Sequence, residues 1–121
     1  MWTFNNSSPV FLQLATSIED SILSGEFCEE TRLPSAKEFS ESLNISPATA
    51  LKGMGLLLES GVIYKKRGIG MFVSQGAKRL IAARRRREFA NTHLLPVLHE
   101  AKKLGMTKSD LAALLEATPY I

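Results

Sequence analysis

No internal disulfide can form in this sequence, because it holds a single cysteine, Cys28. A lone thiol fits a reducing compartment. No run approaches the ~18 consecutive apolar residues that a membrane helix needs. Met1 to Asn6 carry no basic segment leading into an apolar one, so no secretory leader is expected. These absences set the expectation of a cytoplasmic protein with no membrane partner. Histidine is scarce too. His93 and His99 stand six positions apart, on different faces of any helix, so no shared metal site is expected.

Acid is missing from one long stretch. Between Glu59 and Glu88 there is no acidic residue, while Lys65, Lys66, Arg67, Lys78, Arg79 and Arg84 to Arg87 all fall there. Up to Gln75 six basic residues face eight acidic ones, net −2; the remainder is net +5, giving +3 over 121 residues. A stripe of one sign attracts a polyanion, although a solvated helix face gives the same pattern.

What is present is a globular composition. Hydrophobic residues make up 45% and charged residues 22% of the chain, enough for one domain with a core. A first helix is expected from Ser8 to Ser24, with Ser8 as cap and Pro9 in the first helical position. Phe11, Leu14, Ala15, Ile18 and Ile22 form its apolar stripe, and Gly25 stops it. Ser35 and Glu38 form a capping box for a second helix that carries Ala36, Phe39 and Leu43 and ends at Asn44. Ser46 caps a third helix, with Pro47 in its first position and Ala50, Met54, Leu57 and Leu58 on its inner side. Gly53 and Gly55 in its interior suggest close approach, to a neighbouring helix or to a ligand, since each costs about 1 kcal/mol there.

Gly61 ends the third helix. Val62 to Tyr64 and Met71 to Val73 read as short strands around a basic, glycine-containing tip, Lys65 to Gly70. A third strand is left unplaced. From Ala77 a long helix runs to about Leu104, with a kink or break near Thr92 because Pro96 removes a donor. Thr107 and Asp110 cap a last helix bearing Leu111, Leu114 and Leu115, and Pro119 stops it.

Helices joined by so short a turn, followed by a basic hairpin, make a winged helix-turn-helix. Such a fold presents the start of its third helix to base edges, while basic side chains and helix-start amides hold phosphates. The stretch Pro9 to Val73 resembles the N-terminal domain of GntR-family transcriptional regulators. The resemblance rests on Pro9 to Leu14, Ile22 to Gly25, Leu33-Pro34-Ser35, Leu43 to Ala50, Leu58 to Ile63 and Gly68 to Val73. The segment that follows is too short for the family's large effector domains. With Ala101 to Lys108 it resembles the two-helix C-terminal part of the YtrA-like subfamily.

The resemblance implies a face for double-stranded DNA made of Ser35, Lys37, Ser46, Pro47, Ala48, Thr49, Leu51 and Lys52. Lys65, Lys66, Arg67, Gly68 and Gly70 match the wing. Lys37 stands where the family usually has an arginine that contacts phosphate or guanine; lysine keeps the charge but loses the bidentate fork. Leu51 replaces a polar or basic residue and can read only methyl groups from the groove. Local alternatives exist: Ser35 and Ser46 as plain caps, Leu51 as core, Lys52 as a solvated charge.

The expected fold class is mainly α with a small β hairpin. Residues 1–75 would be the DNA-binding domain and 76–121 a dimerisation segment. Leu94, Leu98, Leu111, Leu114 and Leu115 are too many apolar residues for two helices to hide alone, which points to a homodimer. The expected function is a repressor on a palindromic operator. No enzyme is expected, and no cofactor or metal. Gly68-Ile69-Gly70 is not a dinucleotide fingerprint, because Val73 takes the place of its third glycine and a strand follows. A small-molecule effector stays open. So does a winged module that binds protein, which would have no need of the basic wing.

Overall fold

The computed structural model describes residues 2–121. It is mostly helical, with one two-stranded antiparallel hairpin, as expected of a winged helix-turn-helix. Helix α1 covers Val10–Ser24, α2 Ala36–Leu43 and α3 Pro47–Ser60; strands β1 and β2 cover Ile63–Lys66 and Gly70–Val73. Helix α4 covers Ala77–Phe89, α5 Leu95–Lys103 and α6 Lys108–Ala117. The chain forms two compact units, one up to Ala83 and one from Arg84 to Ile121.

In the first unit Leu14, Ile18 and Ile22 of α1 are 0–2% exposed, one helical turn apart. They share a core with Phe39 of α2, Ala50, Met54 and Leu57 of α3, and Val62, Ile63 and Val73 of the hairpin. Full burial of a side chain such as Leu or Ile stabilises by about 1.5–3 kcal/mol. Ala77 and Ile81 of α4 close the same core, which is why this unit extends past Gln75. Trp2 stacks on Phe39 with ring centroids 5.8 Å apart.

The start of α1 differs from expectation. Ser8 is not its cap, and Pro9 lies just outside the helix with ψ 139°. The reason is Gln13, whose amide donates to the carbonyls of Ser8 at 2.7 Å and Asn5 at 2.8 Å and accepts from the Asn5 N–H at 3.0 Å. With the Ser8 carbonyl so engaged, the helical ladder begins at the Pro9 carbonyl, which accepts from Leu12 and Gln13. The other ends follow the sequence: Ser35–Glu38 and Thr107–Asp110 are capping boxes, Ser46 caps α3, and Gly25 and Gly61 end α1 and α3.

The hairpin pairs Ile63 with Val73 and Lys66 with Gly70 at its two ends. Val62 lies outside β1 because its N–H closes the end of α3 on the Leu57 carbonyl. Lys65 and Lys66 belong to β1 and not to the tip. The unplaced third strand is the segment before Pro34. Glu30 N–H donates to the Val73 carbonyl at 2.7 Å, Leu33 N–H donates to the Met71 carbonyl at 2.8 Å, and Arg32 bridges Phe72.

In the second unit the helical backbone runs on from α4 through a π-helical turn, Ala90–Leu94, into α5. This is the expected interruption. Pro96 has no N–H for the Thr92 carbonyl, and a widened turn lets the ladder reach one residue further. Ala101 is buried, whereas α6 buries none of its side chains fully. Among the described residues no helix is long and apolar enough to cross a membrane.

The two α3 glycines differ. A Cβ on Gly53 would stand 2.9 Å from the Phe11 carbonyl oxygen and 3.0 Å from a Leu14 methyl, whereas one on Gly55 would meet nothing within 4 Å. Of the two readings, close approach to a neighbouring helix therefore holds at Gly53 and not at Gly55. Gly53→Ala is predicted to destabilise by about 1–3 kcal/mol through overpacking against backbone. Gly55→Ala should stabilise by about 0.5–1 kcal/mol through helix propensity. Urea unfolding of both variants checks this, and a Gly53→Ala protein as stable as Gly55→Ala would contradict the packing.

Candidate nucleic-acid interface

The turn between α2 and α3 is locked from within. Asn44 takes the left-handed conformation, φ 54° and ψ 48°. The buried Ser40 hydroxyl donates to the Ile45 carbonyl at 2.6 Å, and the Ile45 N–H donates to the Ser40 carbonyl at 3.1 Å. Ser46 then caps α3, accepting the Thr49 N–H at 3.1 Å, with its hydroxyl 2.8 Å from that of Thr49. These two hydroxyls bond first to each other and to backbone, so what they offer an incoming phosphate is their remaining capacity alone.

The outward face of α3 is plain. Ala48 and Leu51 are exposed, Leu51 to 58%, so Leu51 is not core. Pro47 is exposed beside them and Thr49 is half-buried. Lys52 is exposed along its length, but its ammonium lies 4.1 Å from the centroid of the Phe11 ring. Such a contact stabilises by about 0.5–1 kcal/mol at an exposed site and holds the charge back against α1. On α2, Lys37 is exposed in the first turn. Ser35 is a working cap, its N–H and hydroxyl both joined to Glu38 at 3.1 Å. The Ser35 backbone N–H first, and its hydroxyl second, hold the Glu38 carboxyl below its ordinary pKa.

The wing carries the densest charge of the first unit. Lys65, Lys66 and Arg67 are exposed, and the turn at the tip closes through the Ile69 N–H on the Lys66 carbonyl at 3.0 Å. Gly68 has φ +76° and Gly70 φ +145°, values that side chains rarely adopt. Gly70 also lies against Arg32: a Cβ there would stand 2.8 Å from its Nε. Arg32 therefore packs its guanidinium on the wing backbone and adds a fourth cation beside Lys65, Lys66 and Arg67. Sequence reasoning missed it, and the signal was the unplaced strand. Tyr64 stacks on Phe72 at 5.9 Å, its hydroxyl donates to Glu30 at 3.1 Å, and the Lys66 ammonium sits 4.4 Å from the Phe72 centroid. Burial and that carboxylate push the Tyr64 pKa up.

Further along, Lys78 and Arg79 are exposed at the start of α4. Glu29 accepts the N–H groups of Gly76 at 2.8 Å and Lys78 at 3.2 Å, so a distant carboxylate caps this helix. The same two amides hold its pKa down. In the second unit Arg86 and Arg87 are exposed, and Arg84 pairs with Glu88 at 3.2 Å.

The second unit also holds an open apolar groove of about 640 Å³ between α5 and α6. All of Leu94, Leu98, Leu111, Leu114 and Leu115 line it. Leu94, Leu114 and Leu115 are 46%, 55% and 76% exposed, and Leu98 and Leu111 are half-buried.

No family model matches the sequence. A crystal structure of a GntR-family transcriptional regulator from Bacteroides thetaiotaomicron is similar with a TM-score of 0.78 and 33% identity, covering 88% of this chain and 93% of that one. The HTH-type transcriptional regulator YhcF of Bacillus subtilis is 25% identical over 108 residues, 89% of this chain and 88% of that protein. The AraR DNA-binding domain, solved in complex with an operator, is similar with a TM-score of 0.55 and 25% identity, covering 61% of this chain and 93% of that one.

Replacing Lys65, Lys66 and Arg67 together with alanine is predicted to weaken binding to all duplexes. It should also flatten the dependence of log K on log salt by about 2–3 units of slope. Titrations at several salt concentrations read both. An unchanged slope would take the wing off the DNA.

Proposed function

This chain belongs to the GntR family of transcriptional regulators, and we propose that within it the protein acts as a homodimeric repressor on a palindromic operator, in the manner of the YtrA-like subfamily. It is a DNA-binding transcriptional regulator; the assembly, the operator symmetry and the sign of regulation are the proposal. The observation that carries the DNA reading is the joint exposure of the start of α3 and a four-cation wing on one compact unit.

Residues 1–75 grip DNA in this reading and 76–121 join two copies. Ala48 and Leu51 face the major groove. The amides that open α3, with Ser46 and Thr49, approach a phosphate, joined by Ser35 and Lys37 from α2. Lys52 supplies charge at the edge of this face. Lys65, Lys66, Arg67, Gly68 and Gly70 follow the neighbouring groove, and Arg84 to Arg87 add phosphate contacts. The protein works in the cytoplasm, without enzymatic activity. A repressor of this kind acts by occupying its operator, and a small-molecule effector would act by changing that occupancy.

The groove of Leu94, Leu98, Leu111, Leu114 and Leu115 supports the homodimer. A folded two-helix unit that leaves α6 without one buried side chain needs a partner surface, and a second copy offers the same surface in two-fold symmetry. For such a two-fold dimer the expected operator is a palindrome with half-sites about one turn of DNA apart. Sedimentation at micromolar concentration should give a dimer. The double variant Leu114→Glu, Leu115→Glu should sediment as a monomer and bind a two-half-site duplex at least about 100-fold more weakly. Wild-type protein that sediments as a monomer and still binds the full site normally would contradict the proposal.

A further inference from the structure

We infer that α3 reads its half-site by thymine methyl groups, through Leu51 and Ala48 at two adjacent A·T base pairs, and not by hydrogen bonds to guanine. This rests on the reading of α3 as the groove-facing helix.

The outward face of α3 carries the exposed Ala48, Leu51 and Lys52, then the half-buried Gly55 and, a turn later, the exposed Glu59, opposite the buried Ala50, Gly53, Met54 and Leu57. Direct recognition of guanine needs a donor aimed at its O6 and N7, usually from arginine or lysine. Lys52 is the one such donor on this face, and its ammonium is drawn back over the Phe11 ring at 4.1 Å. The hydroxyls of Ser46 and Thr49 are engaged at the helix start. What remains at the centre is apolar: the Ala48 methyl and a Leu51 side chain that is 58% exposed. The one apolar feature that base edges show in the major groove is the C5-methyl of thymine.

The spacing fits. Ala48 and Leu51 are three residues apart, about 4.5 Å along the helix axis, near the ~3.4 Å step between bases. Gly55, one turn further, carries no side chain and has nothing within 4 Å of the place a Cβ would take, so that end of the face can come close to the DNA. A leucine desolvated against a methyl gains; against the exocyclic amine of cytosine it leaves a donor unpaired.

The test uses the full-length protein and the duplex it selects from a random pool, with thymines replaced one at a time by uracil, which removes only the methyl. Two adjacent positions in each half-site should lose about fourfold in affinity per methyl. In Leu51→Ala, whose thermal melting should match wild type because the side chain is exposed, the penalty at one of those positions should fall below about twofold. Uracil tolerated everywhere, or a full penalty kept by Leu51→Ala, would overturn the inference while DNA recognition stands. A pool that returns no preferred sequence would overturn it together with the specific-regulator reading beneath it.

Discussion

Where a side chain on Gly53 would begin, the backbone oxygen of Phe11 is 2.9 Å away. Helix α3 therefore rests on α1 with no Cβ between them at that point. The contact fixes the roll of α3 about its axis. Ala50, Met54 and Leu57 point into the core, and Ala48, Leu51 and Lys52 point out. A turn of one residue, about 100°, would carry Leu51 inward and a core residue outward. What α3 presents on its outer face, the face proposed to meet DNA, is thus the far side of a packing decision made on α1. The same contact brings Phe11 under Lys52, so the core also sets where the one cation on that face lies.

The wing is organised by a comparable constraint. Residues 30–33 pair along β2, and Arg32 lies so close to Gly70 that a side chain there would have to displace its guanidinium. The hairpin is short, and two strands alone are marginal in water. Pairing with a third segment and the Tyr64–Phe72 stack give it support. Three of the eight acids of this unit are drawn into the scaffold: Glu29 caps α4, Glu30 takes the Tyr64 hydroxyl and Glu38 closes the α2 box. Residues 1–75, net −2 by sequence, thereby still carry a basic wing.

The sequence spelled out what is local. Ser35 with Glu38, Ser46 with Pro47, Thr107 with Asp110, and the stops at Gly25 and Gly61 each act within a few residues, so type and spacing suffice. Pro96 marked its interruption for the same reason. What stayed hidden depends on partners far along the chain. Gln13 displaces Ser8 as the organiser of the α1 start, Glu29 caps a helix nearly fifty residues away, and Arg32 meets the wing. Gly53 and Gly55 look alike in sequence because nothing local separates them; only the position of α1 does. Leu51 is the same case, since a leucine in a helix reads as core until the roll of that helix is known. The five groove leucines were legible as apolar excess, but not the shape they line.

The central claim is that two copies of this chain read one symmetric stretch of DNA. Selection of bound duplexes from a randomised double-stranded pool, at near-physiological salt, tests it most directly. The account predicts a single two-fold-symmetric sequence with half-sites about one helical turn apart. Recovery of no preferred sequence, with binding that merely fades as salt rises, would contradict it and leave a phosphate grip alone.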